Sequence, residues 1–501
     1  MLRDSNELDG SLAPGPVGAR PAPVRGPAVV EHATKRAVAH PLGWIACAFL
    51  VVQTGVLWLV PNGPFVDEGL YTTAGLRVLE GKAASDGYAT WFNGSAFVWP
   101  VIAAAGHRVA GLAGARFMAA VLSTVTLVLL AMAARHLVGP RASSWCALAF
   151  ALNGLFAALA HFAVYDVAAL TCLATSIWCV SRSSGSDDMK WIVGAATAFA
   201  LGVIAKYGYL AMAVPLVALL VSVRGVRALV REVALFLAVV GGIVGAYFFI
   251  CFGAIVPPSP DAYLGQLFGR TRGHIAALHV VFGLVPFGLA VAGAIVAWRR
   301  LRARGLAATC VLALLVFPSF HLWTANFVSG QKHVVAGFLF AYLLAGVALE
   351  RLWDSRSRVA AMLVLAFLTF WGGLQCYAQD RSWPDIRPLA DYLVRNLRSG
   401  DRVLAESSWS YTLYLYSAGL IASPSAVTDA NHSPEAGRLD VCQIPWVAGN
   451  PDSAPLVRYA VERCGHELVL SARSPQYYID TARLRLTVSS GVVGLYRLPR
   501  P

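Results

Sequence analysis

Long apolar runs separated by short basic turns fill the chain from about residue 42 to residue 377. About 20 consecutive apolar residues are needed for a helix to cross a bilayer. Runs that approach this length lie near 42–60, 115–135, 143–162, 167–181, 191–205, 207–223, 232–253, 279–298, 306–325, 334–350 and 358–377. By this length rule the sequence predicts about eleven membrane spans. Residues 1–41 are rich in Pro, Gly and Ala, lack periodicity and predict a disordered tail. The first run begins too far into the chain for an ordinary signal peptide and reads as an uncleaved first span.

The stretch 97–112 is apolar but short, and it contains His107 and Arg108. The basic loops decide how it is read. If 97–112 does not cross, the loops with Arg135 and Arg141, Arg182 and Lys190, Arg224 to Arg231, Arg299 to Arg304 and Arg351 to Arg358 all fall on one side. Clustered Arg and Lys mark that side as cytoplasmic. We therefore read 97–112 as juxtamembrane or re-entrant, inside an outer loop 61–113. The N-terminus is then cytoplasmic.

After residue 377 the pattern becomes polar and mixed. It predicts a helix at 386–397, a strand at 402–406, a helix at 411–418, a strand at 467–471 and two strands within 484–498. Residues 378–501 thus read as a soluble α/β domain on the extracytoplasmic side, large enough to bury its own core. The fold class expected is an all-α polytopic membrane protein carrying this domain at its C-terminus.

Composition agrees. Hydrophobic residues make up 57% of the 501 and charged residues 13%, against about 45–50% and 25% in soluble proteins. Too little charge is present to cover a soluble protein of this size. A soluble enzyme, a disordered chain and a fibre are excluded. The formal charge of +13 would suggest nucleic acid in a soluble protein; here cytoplasmic loops rich in Arg account for most of it. Nine cysteines are present without a CxxC or a Cys/His cluster. Cys442 and Cys464 lie in the polar C-terminal region and can pair if that region faces an oxidising compartment.

Chemistry gathers at the outer ends of the spans. Phe65-Val66-Asp67-Glu68-Gly69-Leu70-Tyr71 follows the first span. Its two carboxylates suit a helix start, and a carboxylate there can also act as general base toward a hydroxyl. Asp166, in His161-Phe162-Ala163-Val164-Tyr165-Asp166, is embedded in an apolar context on the same side. Lys206, Arg270, Arg272, His274, Lys332 and His333 also fall at outer span ends or in outer loops. Singly these cations read as snorkelling side chains. Together they form an anion-binding set facing the carboxylates. No Walker loop, GxSxG or HExxH is present, and His161, His321 and His333 lack metal-ligand spacing. No metal ligand is assigned, and a divalent metal is left open.

The order "first span, then Asp-Glu-x-x-Tyr" resembles the GT-C polyprenyl-phosphate-sugar glycosyltransferases. Within these it is most similar to glycosyltransferase family 39: the protein O-mannosyltransferases, the lipid A aminoarabinose transferase and the rhizobial galacturonosyltransferases. Asp67-Glu68, Ala163-Val164-Tyr165-Asp166, Gly202 to Tyr207 with Pro215, and Ser329-Gly330-Gln331-Lys332-His333 match the family's loose motifs in order. Two features depart from the pattern. Val167 follows Asp166 where Pro is usual, and Trp91-Phe92-Asn93-Gly94 stands where Lys-Pro is common.

The resemblance implies inverting transfer of a sugar from a polyprenyl-phosphate donor to a lipid, glycan or protein acceptor at the plasma (inner) membrane. Asp67 would be the base. Glu68 and Asp166 would position the acceptor or tune Asp67. Lys206, Arg270 or Arg272, Lys332 and His333 would hold the leaving phosphate, with Tyr71 and Tyr165 positioning substrate. The competing readings are a lipid-linked-sugar transporter or flippase and a non-catalytic membrane scaffold.

Overall fold

The computed structural model describes the chain apart from residues 1–30, 61, 83–93, 96, 184–187, 226–227, 253–271, 302, 325–329, 356, 381–382, 431–439, 453, 481–484 and 500–501. Residues 41–501 form one compact unit, which carries the elements and contacts described below from residue 41 onward.

The membrane part is built from α1 (Glu31–Leu59), α2 (Val66–Leu79), α3 (Trp99–Leu137), α4 (Pro140–Ala151), α5 (Gly154–Leu159), α6 (Tyr165–Ser183) and α7 (Lys190–Ala205). A 3₁₀ turn at Tyr207–Met212 leads into α8 (Ala213–Arg224), α9 (Ala228–Phe252), α10 (Arg272–Val296), α11 (Arg304–Thr324), α12 (Gly330–Asp354) and α13 (Arg358–Asp380). Eight described helices are long and apolar enough to cross a membrane, fewer than the eleven runs of the sequence. The run at 143–162 is broken in two because Asn153 caps a new helix, its Oδ1 accepting the Phe156 N–H at 3.0 Å. The run at 191–205 makes a 16-residue helix, and α6 carries Asp166, Arg182 and several hydroxyl residues.

The central element is α12. Inside the protein lies 89% of its apolar window, against 17% for the corresponding window of residues 41–59. Helix α3 is two helices in one. Ala110 and Gly111 leave helical geometry, and Gly111 adopts φ 59°, a left-handed conformation that suits glycine. The halves 99–109 and 112–137 fold back on each other. A Cβ on Gly114 would sit 2.0 Å from the Gly106 carbonyl oxygen, so only glycine permits this approach. The stretch 97–112 is thus a separate helix lying against the span that follows it.

The C-terminal region contains α14 (Arg387–Asn396), β1 (Val403–Ala405), α15 (Ser408–Ser417), β2 (Val427–Asp429), β3 (Trp446–Gly449), α16 (Pro455–Cys464), β4 (Glu467–Asp480) and β5 (Arg485–Arg497). The sheet order is β2-β1-β3-β5-β4. Strand β1 pairs in parallel with β2 and β3, whereas β5 runs antiparallel to β3 and β4. The structure adds β2, β3 and α16 to the expected elements and has one strand, not two, within 484–498. Leu389, Leu393, Val403, Ala405, Leu415 and Leu495 share its core. Cys442 and Cys464 are disulfide-bonded, with Cα atoms 5.0 Å apart.

This region docks on α2. A Cβ on Gly69 would lie 2.2 Å from the Trp409 carbonyl oxygen, so the first turns of α2 and α15 touch backbone to backbone. One helical face further along, the Tyr416 hydroxyl donates to Glu80, and the Arg77 guanidinium donates to the Ala422 carbonyl at 3.0 Å.

Candidate active site

Two ion pairs stand at one end of the bundle. Asp67, in the first turn of α2, pairs with Lys332 in the first turn of α12, 265 residues away. Asp166, in the first turn of α6, pairs with Lys206, which follows α7. Both carboxylates sit at helix N-termini, where the backbone dipole favours negative charge. The four charges act on one another: Lys206 and Lys332 each lie within electrostatic reach of both Asp67 and Asp166.

The pairs differ in access. The Asp166 and Lys206 side chains are 1% and 2% exposed, whereas Asp67 is 24% exposed. Asp67 is therefore the carboxylate that a substrate can reach.

Aromatic rings frame both lysines. Lys332 Nζ lies 5.1 Å from the Phe65 ring centre, and Lys206 Nζ lies 5.0 Å from that of Tyr165, within cation–π range. The rings of Tyr71 and Tyr165 stand 4.4 Å apart. Burial, reinforced by the Asp67 carboxylate, holds the Tyr71 hydroxyl neutral well above the ordinary range. The Tyr209 hydroxyl is buried beside Lys206 with no hydrogen-bond partner among the described residues.

Lys206 owes its place to a break in the helix. After α7 the backbone turns extended at Lys206 and restarts as the 3₁₀ turn, where the Tyr209 N–H donates to the Lys206 carbonyl at 3.0 Å. The first loop presses on this break. The Ser95 N–H donates to the Ile204 carbonyl at 2.8 Å, and a Cβ on Gly94 would lie 2.1 Å from the Ala205 carbonyl oxygen. Gly94, in the segment that departs from the family's Lys-Pro, supplies a close backbone approach there.

Glu68 has a different part. It is fully buried, and its two oxygens accept four hydrogen bonds: Arg116 Nε (2.9 Å) and NH2 (2.8 Å), the Ala163 N–H (2.9 Å) and the Phe65 N–H (2.9 Å). Four is about the capacity of a carboxylate. Glu68 has no lone pair left for a substrate. It fixes α2 against α3 and the loop before α6. Arg116 also donates to the Gly63 carbonyl at 3.1 Å, and the Trp383 indole N–H to the same carbonyl at 3.2 Å.

His333 is partly buried and faces histidines. Its Nδ1 lies 2.9 Å from His321 Nε2, and His321 Nδ1 lies 3.1 Å from His279 Nε2. These imidazoles join α10, α11 and α12 in one chain; with both His321 nitrogens engaged, they do not converge on a shared ion. Arg270 lies outside the described residues, and of Arg272 only the backbone is described, at the start of α10. The structure therefore brings Asp67, Asp166, Lys206, Lys332, Tyr71 and Tyr165 together.

A small apolar pocket is lined by Phe65, Leu155, Leu159, Phe162 and Val164, with Gln331 and Lys332 also in its wall.

Comparison with known proteins follows the same lines. Residues 95–251, less than a third of the chain, match the family model described as dolichyl-phosphate-mannose-protein mannosyltransferase. No curated protein matches by sequence. Among solved structures, ArnT from Cupriavidus metallidurans bound to undecaprenyl phosphate aligns with a TM-score of 0.58 at 16% identity, over 90% of this chain and 98% of that one. Its apo state gives a TM-score of 0.57 at the same identity and coverage. The archaeal oligosaccharyltransferase AglB from Archaeoglobus fulgidus, in complex with an inhibitory peptide and a dolichol-phosphate, aligns with a TM-score of 0.50 at 11% identity, over 81% of this chain and 69% of that one. The chain has the GT-C glycosyltransferase fold.

Proposed function

We propose that this protein is an integral membrane glycosyltransferase that moves a sugar from a polyprenyl-phosphate donor to an acceptor hydroxyl on the extracytoplasmic face, with inversion. The observation that carries the reading is the pairing of Asp67, the more accessible of the two paired carboxylates, with Lys332. Lys332 suits the donor's phosphate. A phosphate oxygen arriving there competes with Asp67 for the ammonium and releases the carboxylate to act as base.

Asp67 then takes the acceptor O–H proton as the acceptor oxygen bonds to the anomeric carbon. The bond from that carbon to the phosphate oxygen breaks on the opposite face, and polyprenyl phosphate departs. Lys332 and Lys206 stabilise the charge developing on the leaving phosphate. Asp166 holds Lys206 in place. The lysines supply positive charge at both carboxylates, so the proposed chemistry needs no ion there. Solved relatives bound to undecaprenyl phosphate or a dolichol-phosphate support a lipid-carrier donor. The disulfide supports an oxidising compartment for the C-terminal region. The acceptor is a lipid, a glycan or a protein.

The test is Asp67→Asn in purified protein supplied with polyprenyl-phosphate sugars and membrane glycolipid acceptors. A loss of about 10²–10⁴-fold in transfer is expected for a missing base, with thermal stability retained. Near-wild-type transfer would remove Asp67 from that role.

A further inference from the structure

His161, Cys376 and Asp380 meet beside the candidate active site. Cys376 and Asp380 stand four residues apart on the last turns of α13, so both project from one face. His161 precedes α6 and is fully buried. Its Nε2 lies 2.8 Å from Asp380 Oδ1, and Cys376 Sγ lies 3.9 Å from Asp380 Oδ2. One ligand atom from each residue falls within 4.8 Å of the other two.

The other ring nitrogen sets the chemistry. His161 Nδ1 lies 3.0 Å from Gln53 Oε1. In the tautomer whose Nδ1–H donates to Gln53 Oε1, Nε2 turns its lone pair toward the Asp380 carboxylate. In that tautomer the two acceptors are drawn together by a cation between them. A proton would serve, with the Cys376 thiol donating to Asp380 Oδ2; a metal ion would engage all three ligand atoms. A nitrogen, a sulfur and a carboxylate oxygen on one point are a zinc donor set. A ligating imidazole held through its other N–H by a protein acceptor is the usual second contact of such sites. Asp380 keeps 14% of its side chain exposed, which gives an entry path and a fourth position for water.

We propose that His161, Cys376 and Asp380 bind one zinc-class divalent cation that clamps the loop before α6 to the end of α13. Binding displaces the thiol proton of Cys376 to solvent and forms the metal–sulfur bond. The three atoms, within 4.8 Å of one another, would close to about 2.0–2.3 Å from a common ion. The clamp joins the framework of the site from both sides. Ala163, two residues after His161, donates to Glu68, and the Asp380 carbonyl accepts from Asn62 Nδ2 at 3.0 Å. Sequence spacing does not reveal the site, because His161 lies 219 residues from Asp380.

The test uses full-length protein in detergent, stripped with chelator and reloaded with Zn²⁺ or with Co²⁺ as a spectroscopic probe. One metal per chain is expected. So are a thiolate-to-cobalt charge-transfer band displaced by Zn²⁺, and a higher melting temperature on reloading. Cys376→Ser removes the band, and His161→Gln lowers affinity at least tenfold. If a variant fails to fold, the wild type alkylated at Cys376 should lose the band instead. Wild-type protein that takes up no stoichiometric metal, or a band that survives loss of the Cys376 thiol, overturns the proposal.

Discussion

Arg116 grips both carboxylate oxygens of Glu68 from 48 residues away, at 2.9 and 2.8 Å, with side chains 5% and 0% exposed. This pair, not the neighbouring Asp67, locks the first outer helix to the bundle. Removing one partner of such a pair leaves a buried charge uncompensated, at about 3–5 kcal/mol. Arg116→Ala should therefore lower the melting temperature in detergent well below that of Asp67→Asn. Replacing both residues by leucine should recover part of the loss. An Arg116→Ala protein that melts like wild type would show that the pair is not what holds α2.

The two lysines should separate in their effects. Lys206 and Asp166 are sealed from solvent, whereas Asp67 can be hydrated when Lys332 is lost. Lys206→Met should destabilise by several kcal/mol, roughly the cost of an orphaned buried carboxylate. Lys332→Met should melt nearer to wild type but raise the KM for the lipid donor, read by titrating donor in a transfer assay. Equal loss of stability in both variants would contradict the difference in access.

Gly69→Ala tests the docking of the C-terminal region. The new methyl would lie 2.2 Å from the Trp409 carbonyl oxygen, and backbone cannot yield as a side chain can. Overpacking of this kind costs about 1–3 kcal/mol. The expected result is faster limited proteolysis of residues after 380 together with reduced transfer. Gly208→Ala is the control, because nothing lies within 4 Å of its added Cβ.

The same contact gives a pH dependence. The Tyr416 hydroxyl donates to Glu80 and holds its carboxyl below the ordinary value of 4.5, with partial burial opposing and Lys82 assisting. A folded-state value below the unfolded one stabilises above the unfolded value. That contribution is lost as pH falls through 4.5 toward the lowered folded value. Glu80 is partly exposed, which screens the effect to about 1 kcal/mol or less. Tyr416→Phe should flatten the fall in melting temperature between neutral pH and pH 4, while behaving like wild type in its slope above pH 6.

Hydropathy made the membrane class legible, along with the change of character after residue 377. It did not reveal the break at Asn153, because an apolar run looks continuous whether or not one polar side chain caps a new helix within it. Strands β2 and β3 are three and four residues long, too short to show alternation. At the site, the sequence suggested Asp67, Asp166, Lys206 and Lys332 individually. Which lysine meets which carboxylate depends on how α2, α6, α7 and α12 pack, and the separations of 265 and 40 residues carry no local sign of it. Arg116 was missed for a related reason: one cation within an apolar stretch looks like a snorkelling side chain until its partner is placed. The family likeness treated Glu68 as part of the chemistry because motifs record residue identity, not where the oxygens point.

The backbone contact between Gly69 and Trp409 bears on biosynthesis. Helix α2 is among the first segments to leave the ribosome, and the turn that braces its first residues is among the last. A chain ending shortly before Ser408 would insert its spans yet lack the brace beside Asp67. The packing of α2 beside Asp67 therefore waits on a turn synthesised long after the helix itself.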